Sequence, residues 1–330
     1  MQKLHRVIVS RTDSIGDTVL TLPVCGYLKQ LYPDVELVYL GKGYVRDVVA
    51  QCSHVDRLIE YTPESIEGSL KAEHADAIIH AFPRSDVAMA AKKAKIQHRI
   101  GTWGRSFHWP TCNHLIPFSR RWSGLHESQL NFKLLRGLQV HHTPHLDDIP
   151  NLYGLPLAAQ KDREGVILHP GSGGSAVDWP IGHYVALADL LKAEGMTVYL
   201  TGTEQEGRHF RPFFRFDKRI IDMSGKLSLS ELLDFIRQCE LLVACSTGPL
   251  HIAAASGIGA LGLFIDQRPI GPGRWRPVGS RARVITPPHS DRVADITPER
   301  VGEVIMSLEG HLAEPRTPFK PNNVMDKPGA

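Results

Sequence analysis

Residues 243–257 read VACSTGPLHIAAASG, a stretch in which an apolar run gives way to polar residues and then to an alanine-rich segment. The run at 241–244 has the length and character of a buried strand, and Leu250–Ser256 has those of a short helix. The polar residues 246–249 are therefore predicted to form a strand-to-helix turn. Such a turn directs free backbone N–H groups and the positive end of the helix dipole at one point, which suits a phosphate. The alternative is a plain helix cap with a proline in the first turn.

Size and composition indicate a globular protein with two domains. The chain has 330 residues, of which 42% are hydrophobic and 22% charged, and this length accommodates two ordinary cores. No run approaches the roughly 18 apolar residues of a membrane span, and the apolar start is too short for a signal peptide. We therefore expect a cytoplasmic protein. The five scattered cysteines contain no CxxC pair, so neither a disulfide framework nor a zinc site is predicted.

Strand-like and helix-like segments alternate in both halves of the chain, which predicts parallel sheets built from βαβ units. We expect two successive doubly wound α/β domains, at 1–155 and 156–306, followed by a C-terminal segment, 307–330, that either crosses back to the first domain or is disordered. Ligands of such sheets bind at the carboxyl ends of strands, here in the cleft between the domains. The predicted strands are Arg6–Ser10, Glu36–Leu40, Arg57–Tyr61, Ala77–Ala81, Val166–His169, Thr197–Thr201, Arg219–Asp222, 241–244 and Ala260–Ile265, and the predicted helices include 17–31, 45–52, 66–73, 181–193 and 230–239.

Two further loops follow predicted strands. In RTDSIGD, Ser14 is predicted to cap the first helix, Gly16 allows a tight turn, and Asp17 enters that helix. Its carboxylate either accepts a proton from a substrate hydroxyl or interacts with the helix dipole.

The second loop, HPGSGGS at 169–175, contains three glycines, so backbone N–H groups at Ser172 and Gly173 can approach a phosphate. It lacks the GK[ST] ending of a P-loop, and the GxGxxG at 257–262 leaves a helix instead of a strand, so neither an ATPase nor a dinucleotide-binding enzyme is indicated.

The stretch 84–136 carries an excess of positive charge. It contains ten Lys or Arg against two acidic residues, a net charge of 10 − 2 = +8, with three tryptophans among them. Such a segment can bind a phosphorylated or carboxylated sugar, a membrane surface or nucleic acid. The alternative is a solvated face whose charges are neutralised elsewhere in the fold. No helix-turn-helix, RRM or OB signature is present, so a nucleic-acid partner is not expected.

Four motifs, in this order and spacing, resemble glycosyltransferase family 9, the heptosyltransferases of lipopolysaccharide core assembly. They are RTDSIGDTVLTLP, ILHPGSGGSAVDWP, DMSGKLSLSELLDFI and VACSTGPLHIAAASGIGALGLF. The resemblance implies a GT-B fold, in which two Rossmann-like domains face each other across a cleft. It also implies inverting transfer of a sugar, usually from ADP-heptose, without a cofactor and without a metal.

The resemblance assigns roles to individual residues. Asp17 matches the catalytic base, while Ser14 and Gly16 of the same loop contact the acceptor or the diphosphate. Thr247, Gly248 and His251 match the diphosphate-binding turn, with Ser172 and Gly173 in the second glycine-rich loop. Asp222 matches a nucleoside-binding acidic residue. Arg105 and Arg120 are candidate contacts to an anionic acceptor.

The chain departs from the family pattern at two positions. Val177 replaces a lysine of the second motif, and Ser246 replaces an aspartate before Thr-Gly. Arg208, Arg268, Arg274 and Arg276 are candidates to supply the missing cation.

We expect a monomer that takes a nucleotide-sugar and an anionic lipid-linked oligosaccharide, with peripheral contact to the inner face of the cytoplasmic membrane. Two alternatives remain: a family member that binds nucleotide or glycan without turnover, and a nucleotide-sugar epimerase on the same fold.

Overall fold

The computed structural model describes residues 4–159, the first half, and 165–312, the second half. Within these ranges each half contains one six-stranded parallel sheet, and the strand orders are β3-β2-β1-β4-β5-β6 and β12-β11-β10-β7-β8-β9. Both orders are doubly wound, which confirms the predicted fold class. The strands are β1 (Arg6–Ser10), β2 (Glu36–Gly41), β3 (Arg57–Glu60), β4 (Ala77–His80), β5 (His98–Thr102), β6 (His114–Ile116), β7 (Val166–His169), β8 (Val198–Leu200), β9 (Ile220–Asp222), β10 (Leu241–Ala244), β11 (Gly259–Leu263) and β12 (Ala282–Ile285).

Helices cover both faces of each sheet, so the central strands are largely buried and mostly apolar. All four residues of β10 are buried, as are Val7–Ser10 of β1. The helices are α1 (Ile15–Val19), α2 (Leu22–Leu31), α3 (Arg46–Ala50), α4 (Ile66–Glu73), α5 (Ser85–Lys93), α6 (Glu127–Phe132), α7 (Ile181–Ala193), α8 (Glu204–Phe210), α9 (Leu229–Gln238), α10 (Gly248–Ala255), α11 (Pro272–Trp275) and α12 (Pro298–Leu312). Short 3₁₀ helices lie at Gly43–Val45, Ser106–His108, Lys133–Leu138, Leu146–Leu152, Arg211–Phe213 and Val293–Asp295.

The prediction of a single helix over 17–31 is wrong, because the segment forms two helices. α1 ends at Val19 and α2 begins at Leu22, with Pro23 in its first turn. Proline has no N–H to donate, and its ring clashes with the carbonyl four residues earlier, so a continuous helix cannot pass through this point. The break leaves α1 as a short element whose N-terminus carries Asp17.

The basic stretch 84–136 is part of the first domain's fold. It supplies α5, β5, β6 and α6, and β5 and β6 extend the first sheet at one edge. Several of its charges are paired, as the solvated-face alternative requires: Arg84 with Asp86 at 2.9 Å and Lys93 with Glu67 at 2.8 Å. Other basic side chains in the stretch line a cavity.

The last described helix belongs to the second half. Val301 and Ile305 of α12 are buried in the same core cluster as Leu187 of α7. Residues 313–330, most of the predicted C-terminal segment, lie outside the described residues. In the described ranges no helix combines the length and apolar character needed to cross a membrane.

Candidate active site

The helices that follow the central strands of the two sheets, α1 and α10, contact each other across the two halves. Glycine permits this approach at two positions. A Cβ on Gly16 would lie 2.9 Å from His251 Cδ2, and one on Gly248 would lie 2.9 Å from Ile15 Cγ2. Both distances are shorter than real Cβ contacts, so a larger residue at either position would force the side chain of His251 or Ile15 to shift. The loop containing Asp17 is therefore held against the strand-to-helix turn of the second sheet.

A cavity of about 430 Å³ lies at this junction. The first half lines it with the RTDSIGD loop, residues 11–17. The second half lines it with the end of the glycine-rich loop and with the α10 turn, residues 245–248, which leads into α10. The lining residues of the cavity are Ser14, Gly16, Asp17, Gly174, Ser175, Ala176, Val177, Ser246, Thr247, Gly248, His251, Leu263, Phe264, Ile265, Ile270 and Trp275. Ser175 Oγ donates to the Ser246 carbonyl oxygen at 3.1 Å, which ties the two second-half loops together.

The Asp17 carboxylate is fixed by two neighbours. Ser14 caps α1 by accepting from the Asp17 N–H, and its hydroxyl donates to Asp17 Oδ2 at 2.6 Å. Arg11 Nη2 donates to Asp17 Oδ1. The side chain remains 16% exposed, at the cavity wall. A carboxylate held in one orientation beside an open cavity can accept a proton from a bound hydroxyl.

Arg11 is buried among three carboxylates. Its guanidinium contacts Asp17, Asp13 at 2.8 Å and Glu127 at 3.0 Å. Burial alone would lower the pKa of Arg11, but the three carboxylates raise it above its ordinary value. Burial raises the pKa of Asp13 to about 6 against the opposing effect of Arg11, and the charge of Asp17 adds to the rise. Arg11 is thus a fixed cation that orients the Asp17 carboxylate.

Glu127 joins the two halves. It lies on α6 with a fully buried side chain and pairs with Arg11, Arg120 and Arg274, the last from α11 of the second half. Burial would raise the pKa of Glu127, but the three arginines lower it below its ordinary value. The adjacent His126 adds a second connection, since its Nε2 donates to the Arg276 carbonyl oxygen at 2.9 Å.

The α10 turn presents polar atoms without partners. Thr247 Oγ1 and His251 Nδ1 are buried and have no hydrogen-bond partner among the described residues. Burial lowers the pKa of His251 to about 4, with Asp17 acting in the opposite direction, so the imidazole is neutral at pH 7. Together with the free N–H groups at the start of α10, these atoms form a site able to bind an anion.

A second cavity, of about 550 Å³, adjoins the other side of Asp17. Arg105, Arg120 and Arg274 are among its lining residues, and Trp275 lines both cavities. Burial lowers the pKa of Arg120 to about 10, opposed by Glu127, so this guanidinium is still charged at pH 7. Five arginines line the second cavity in the described chain, against the three carboxylates of Asp13, Asp17 and Glu127, so its lining is positive overall. Asp17 lines both cavities.

The structure brings most of the predicted site residues to these cavities, but three lie outside their linings. Ser172 and Gly173 precede the part of their loop, Gly174–Val177, that lines the first cavity. Asp222 lies at the end of β9, where its carboxylate accepts from Arg211 Nε at 2.7 Å and from the Ser224 N–H at 2.9 Å.

The two departures from the family pattern, Val177 and Ser246, both line the first cavity. No lysine or arginine is among its described lining residues, so none of the four arginines suggested as replacement cations reaches it. Arg208 pairs with Glu204 at 3.2 Å, and Arg274 pairs with Glu127. Charge on an anion in this cavity would be balanced by backbone dipoles and neutral hydrogen-bond donors.

Sequence reasoning missed Arg11, Asp13 and Glu127. Arg11 and Asp13 belong to the RTDSIGD loop, and their position after β1 is a sequence signal for a site residue. The signal for Glu127 is weaker: it is the first acidic residue after Asp86. Among residues 4–159 and 165–312, no group of three or more His, Cys, Asp or Glu side chains is arranged to hold a metal ion.

The sequence matches a known family over most of its length. The model of glycosyltransferase family 9 (heptosyltransferase) matches residues 64–297, a range that begins after the RTDSIGD loop. The chain is 24% identical over 344 aligned positions to lipooligosaccharide heptosyltransferase 2 of Haemophilus influenzae, covering 94% of this chain and 91% of that protein.

Solved structures share the fold. The crystal structure of a family 9 glycosyl transferase from Veillonella parvula aligns with a TM-score of 0.79 at 18% identity, covering 94% of this chain and 99% of that one. The Escherichia coli heptosyltransferase WaaC with ADP aligns with a TM-score of 0.74 at 17% identity, covering 92% and 99%. At this identity the similarity establishes the two-domain architecture, and the assignment of residues rests on the geometry above.

Proposed function

The chain belongs to glycosyltransferase family 9, and from this premise we propose that it transfers a heptose or a related sugar from a nucleoside-diphosphate sugar, ADP-heptose in the first instance, to a lipopolysaccharide core or lipid A–Kdo acceptor. The observation that supports the proposal is the contact between α1 and α10. Through this contact the Asp17 carboxylate and the N-terminus of α10, a helix end able to bind an anion, both line one cavity.

The proposed reaction is a direct displacement at the anomeric carbon. Asp17 takes the proton of the acceptor hydroxyl, whose oxygen attacks the anomeric carbon as the bond to the diphosphate oxygen breaks. Attack from the face opposite the leaving group inverts the configuration. The negative charge that develops on the diphosphate is stabilised by the backbone N–H groups at Thr247 and Gly248 and by the neutral imidazole of His251.

Arg11 and Ser14 act as positioning residues for the base. Arg11 holds Asp17 Oδ1 and Ser14 donates to Oδ2, so the carboxylate keeps one orientation towards the cavity. We propose that no metal or cofactor takes part, because the helix terminus and His251 already supply the donors that the diphosphate needs.

The positive second cavity is the proposed acceptor site. Arg105 and Arg120 line it next to Asp17, where the carboxylate or phosphate of a core sugar would pair with them. Because the proposed acceptor is lipid-linked, we propose that the enzyme works at the inner face of the cytoplasmic membrane, through peripheral contact.

The deciding experiment is mass spectrometry of the products after incubation with ADP-heptose and a Kdo-bearing lipid A acceptor. The expected products are ADP and an acceptor heavier by one heptose residue, and neither should form beyond slow hydrolysis when the acceptor is omitted. An isomerised nucleotide-sugar formed without acceptor would identify an epimerase instead. Nucleotide binding without transfer, across a panel of donors and acceptors, would identify a binding protein and refute the proposal.

A further inference from the structure

Three exposed tryptophans lie on two neighbouring loops of the first half, 103–109 and 117–122. Trp103 and Trp109 are each 57% exposed and Trp122 is 75% exposed. The loops are adjacent, because the Trp103 N–H donates to the Ile116 carbonyl oxygen at 3.0 Å. Indole side chains of this exposure have a large apolar surface in contact with water, which folding within the chain has not removed.

The first two tryptophans form a fixed pair. Trp109 Nε1 donates to the Trp103 carbonyl oxygen at 2.9 Å, and the two ring centroids are 5.8 Å apart. The hydrogen bond satisfies the polar atom of one indole, while both indoles stay more than half exposed. The pair is thus pre-organised, so little side-chain entropy would be lost when it contacts a partner.

The same loops are positive. Between Asp86 and Glu127 the chain has no Asp or Glu, and three arginines, 105, 120 and 121, lie on the two loops. Arg105 and Arg121 are exposed on the loops that carry the tryptophans, and the Arg121 guanidinium lies 5.0 Å from the centre of the Trp122 ring. An approaching anionic surface would therefore meet no repelling carboxylate on these two loops.

We propose that Trp103, Trp109 and Trp122, with Arg105 and Arg121, form a docking surface for an anionic phospholipid bilayer. Tryptophan suits the headgroup level of a membrane because its body is apolar and its N–H is polar, and arginine is attracted by anionic headgroups. Gly104, Arg105 and Ser119 of these loops also line the second cavity. Docking would turn the mouth of that cavity towards the membrane; this last point rests on the proposed lipid-linked acceptor.

The experiment is cosedimentation of the full chain with phosphatidylglycerol–phosphatidylcholine vesicles and with vesicles of phosphatidylcholine alone. We expect binding to the anionic vesicles only, and weaker binding as salt is raised. Trp122→Ser should lower partitioning roughly tenfold, which corresponds to about 60 Å² of apolar surface returned to water. Arg121→Ser should lower it about fivefold. The matched controls are Phe213→Ser, which removes a 58% exposed aromatic of the second half, and Arg215→Ser; both should bind as the wild type does.

Equal binding to both kinds of vesicle, or wild-type binding by both Trp122→Ser and Arg121→Ser, would overturn the proposal. So would tighter binding to an RNA or DNA oligonucleotide than to the anionic vesicles. The result is separable from the proposed reaction, because transfer to a soluble, delipidated oligosaccharide needs no bilayer. Trp122→Ser should retain that transfer while losing vesicle binding. A protein that binds the vesicles but transfers nothing would refute the reaction and leave the docking surface in place.

Discussion

Glu127 Oε2 accepts from Arg274 Nε at 3.0 Å and lies 2.9 Å from Arg274 Nη2, across the boundary between the two halves. The other carboxylate oxygen of Glu127 pairs with Arg11, which in turn holds Asp17. This contact between the halves is therefore linked to the proposed base, Asp17, through two ion pairs, Glu127–Arg11 and Arg11–Asp17. Any separation of the halves that withdraws Arg274 would leave Glu127 with two arginines instead of three and alter the support of Asp17.

Glu127→Gln is expected to destabilise the protein by about 3–5 kcal/mol, because it removes the negative charge shared by three arginines in a buried site. Urea unfolding monitored by circular dichroism gives the free energy directly. Glu67→Gln is the matched control: it also breaks a pair, with Lys93, but both of these side chains are more than half exposed. Glu67→Gln should lower the free energy of unfolding by less than about 1 kcal/mol. An equal loss of unfolding free energy in the two variants would contradict the role given to the buried carboxylate.

Asp17→Asn is expected to lower kcat by about 10²–10⁴-fold while leaving nucleotide affinity within a few fold of wild type. Asparagine retains an acceptor for Arg11 and a partner for Ser14, so the geometry survives while the proton acceptor is lost. Steady-state release of nucleoside diphosphate, together with nucleotide titration, separates the two effects. Asp13→Asn, which changes a neighbouring carboxylate also bound to Arg11, should reduce kcat less. Wild-type turnover by Asp17→Asn would exclude it as the base.

His251→Ala is expected to weaken binding of the nucleoside diphosphate by about 10- to 100-fold, the loss of one hydrogen bond to a charged group. Isothermal titration measures the affinity. Because the low pKa of His251 keeps the ring neutral at pH 7, a neutral donor should partly replace it, so His251→Asn should bind more tightly than the alanine variant. His289→Ala, an exposed substitution in the second half, is the control for losing a histidine. Unchanged affinity in His251→Ala would place the diphosphate elsewhere.

The fold was predictable because it depends on local apolar patterns. β7, β10 and α7 are buried runs or amphipathic segments, and the predictions for them match to the residue. β5 was missed because its strand carries His98 and Arg99, which are only partly buried near the sheet edge and do not form an apolar run. The division between α1 and α2 depends on a single proline within an otherwise helical pattern.

The site was predictable only where a residue follows a strand. Thr247 lies in the turn after β10, and Asp17 lies in the first turn of α1, the helix that follows β1, so topology alone brings both to the carboxyl ends of the central strands. Arg274 and Glu127 are far apart in sequence and approach each other only when the two halves pack, so no local pattern predicts that they pair. The ion pair between Asp222 and Arg211 is not predictable from a local pattern either, because Arg211 follows α8 and Asp222 ends β9.

His80 gives the fold a pH dependence that can be measured. It lies on β4, is fully buried, and neither ring nitrogen has a hydrogen-bond partner within the described residues. Burial lowers its pKa to about 3, with His108 and Arg99 adding to the effect. The unfolded chain therefore binds this proton below about pH 6.5, while the folded chain does not bind it until about pH 3. The stability from neutral His80 is complete above pH 6.5 and is lost as the pH falls through this window.

His80→Leu should remove about 1.4 kcal/mol per pH unit from the slope of unfolding free energy against pH between about 6 and 4. Above pH 7 the two proteins should give parallel curves, since neither state of either protein binds that proton there. The variant should be as stable as wild type at pH 7 or more so, because an apolar side chain of similar size replaces two unpaired polar atoms. Urea unfolding at a series of pH values provides both quantities. An unchanged slope would mean that His80 is protonated equally in the folded and unfolded chains, and so that the imidazole is hydrated or hydrogen-bonded in solution.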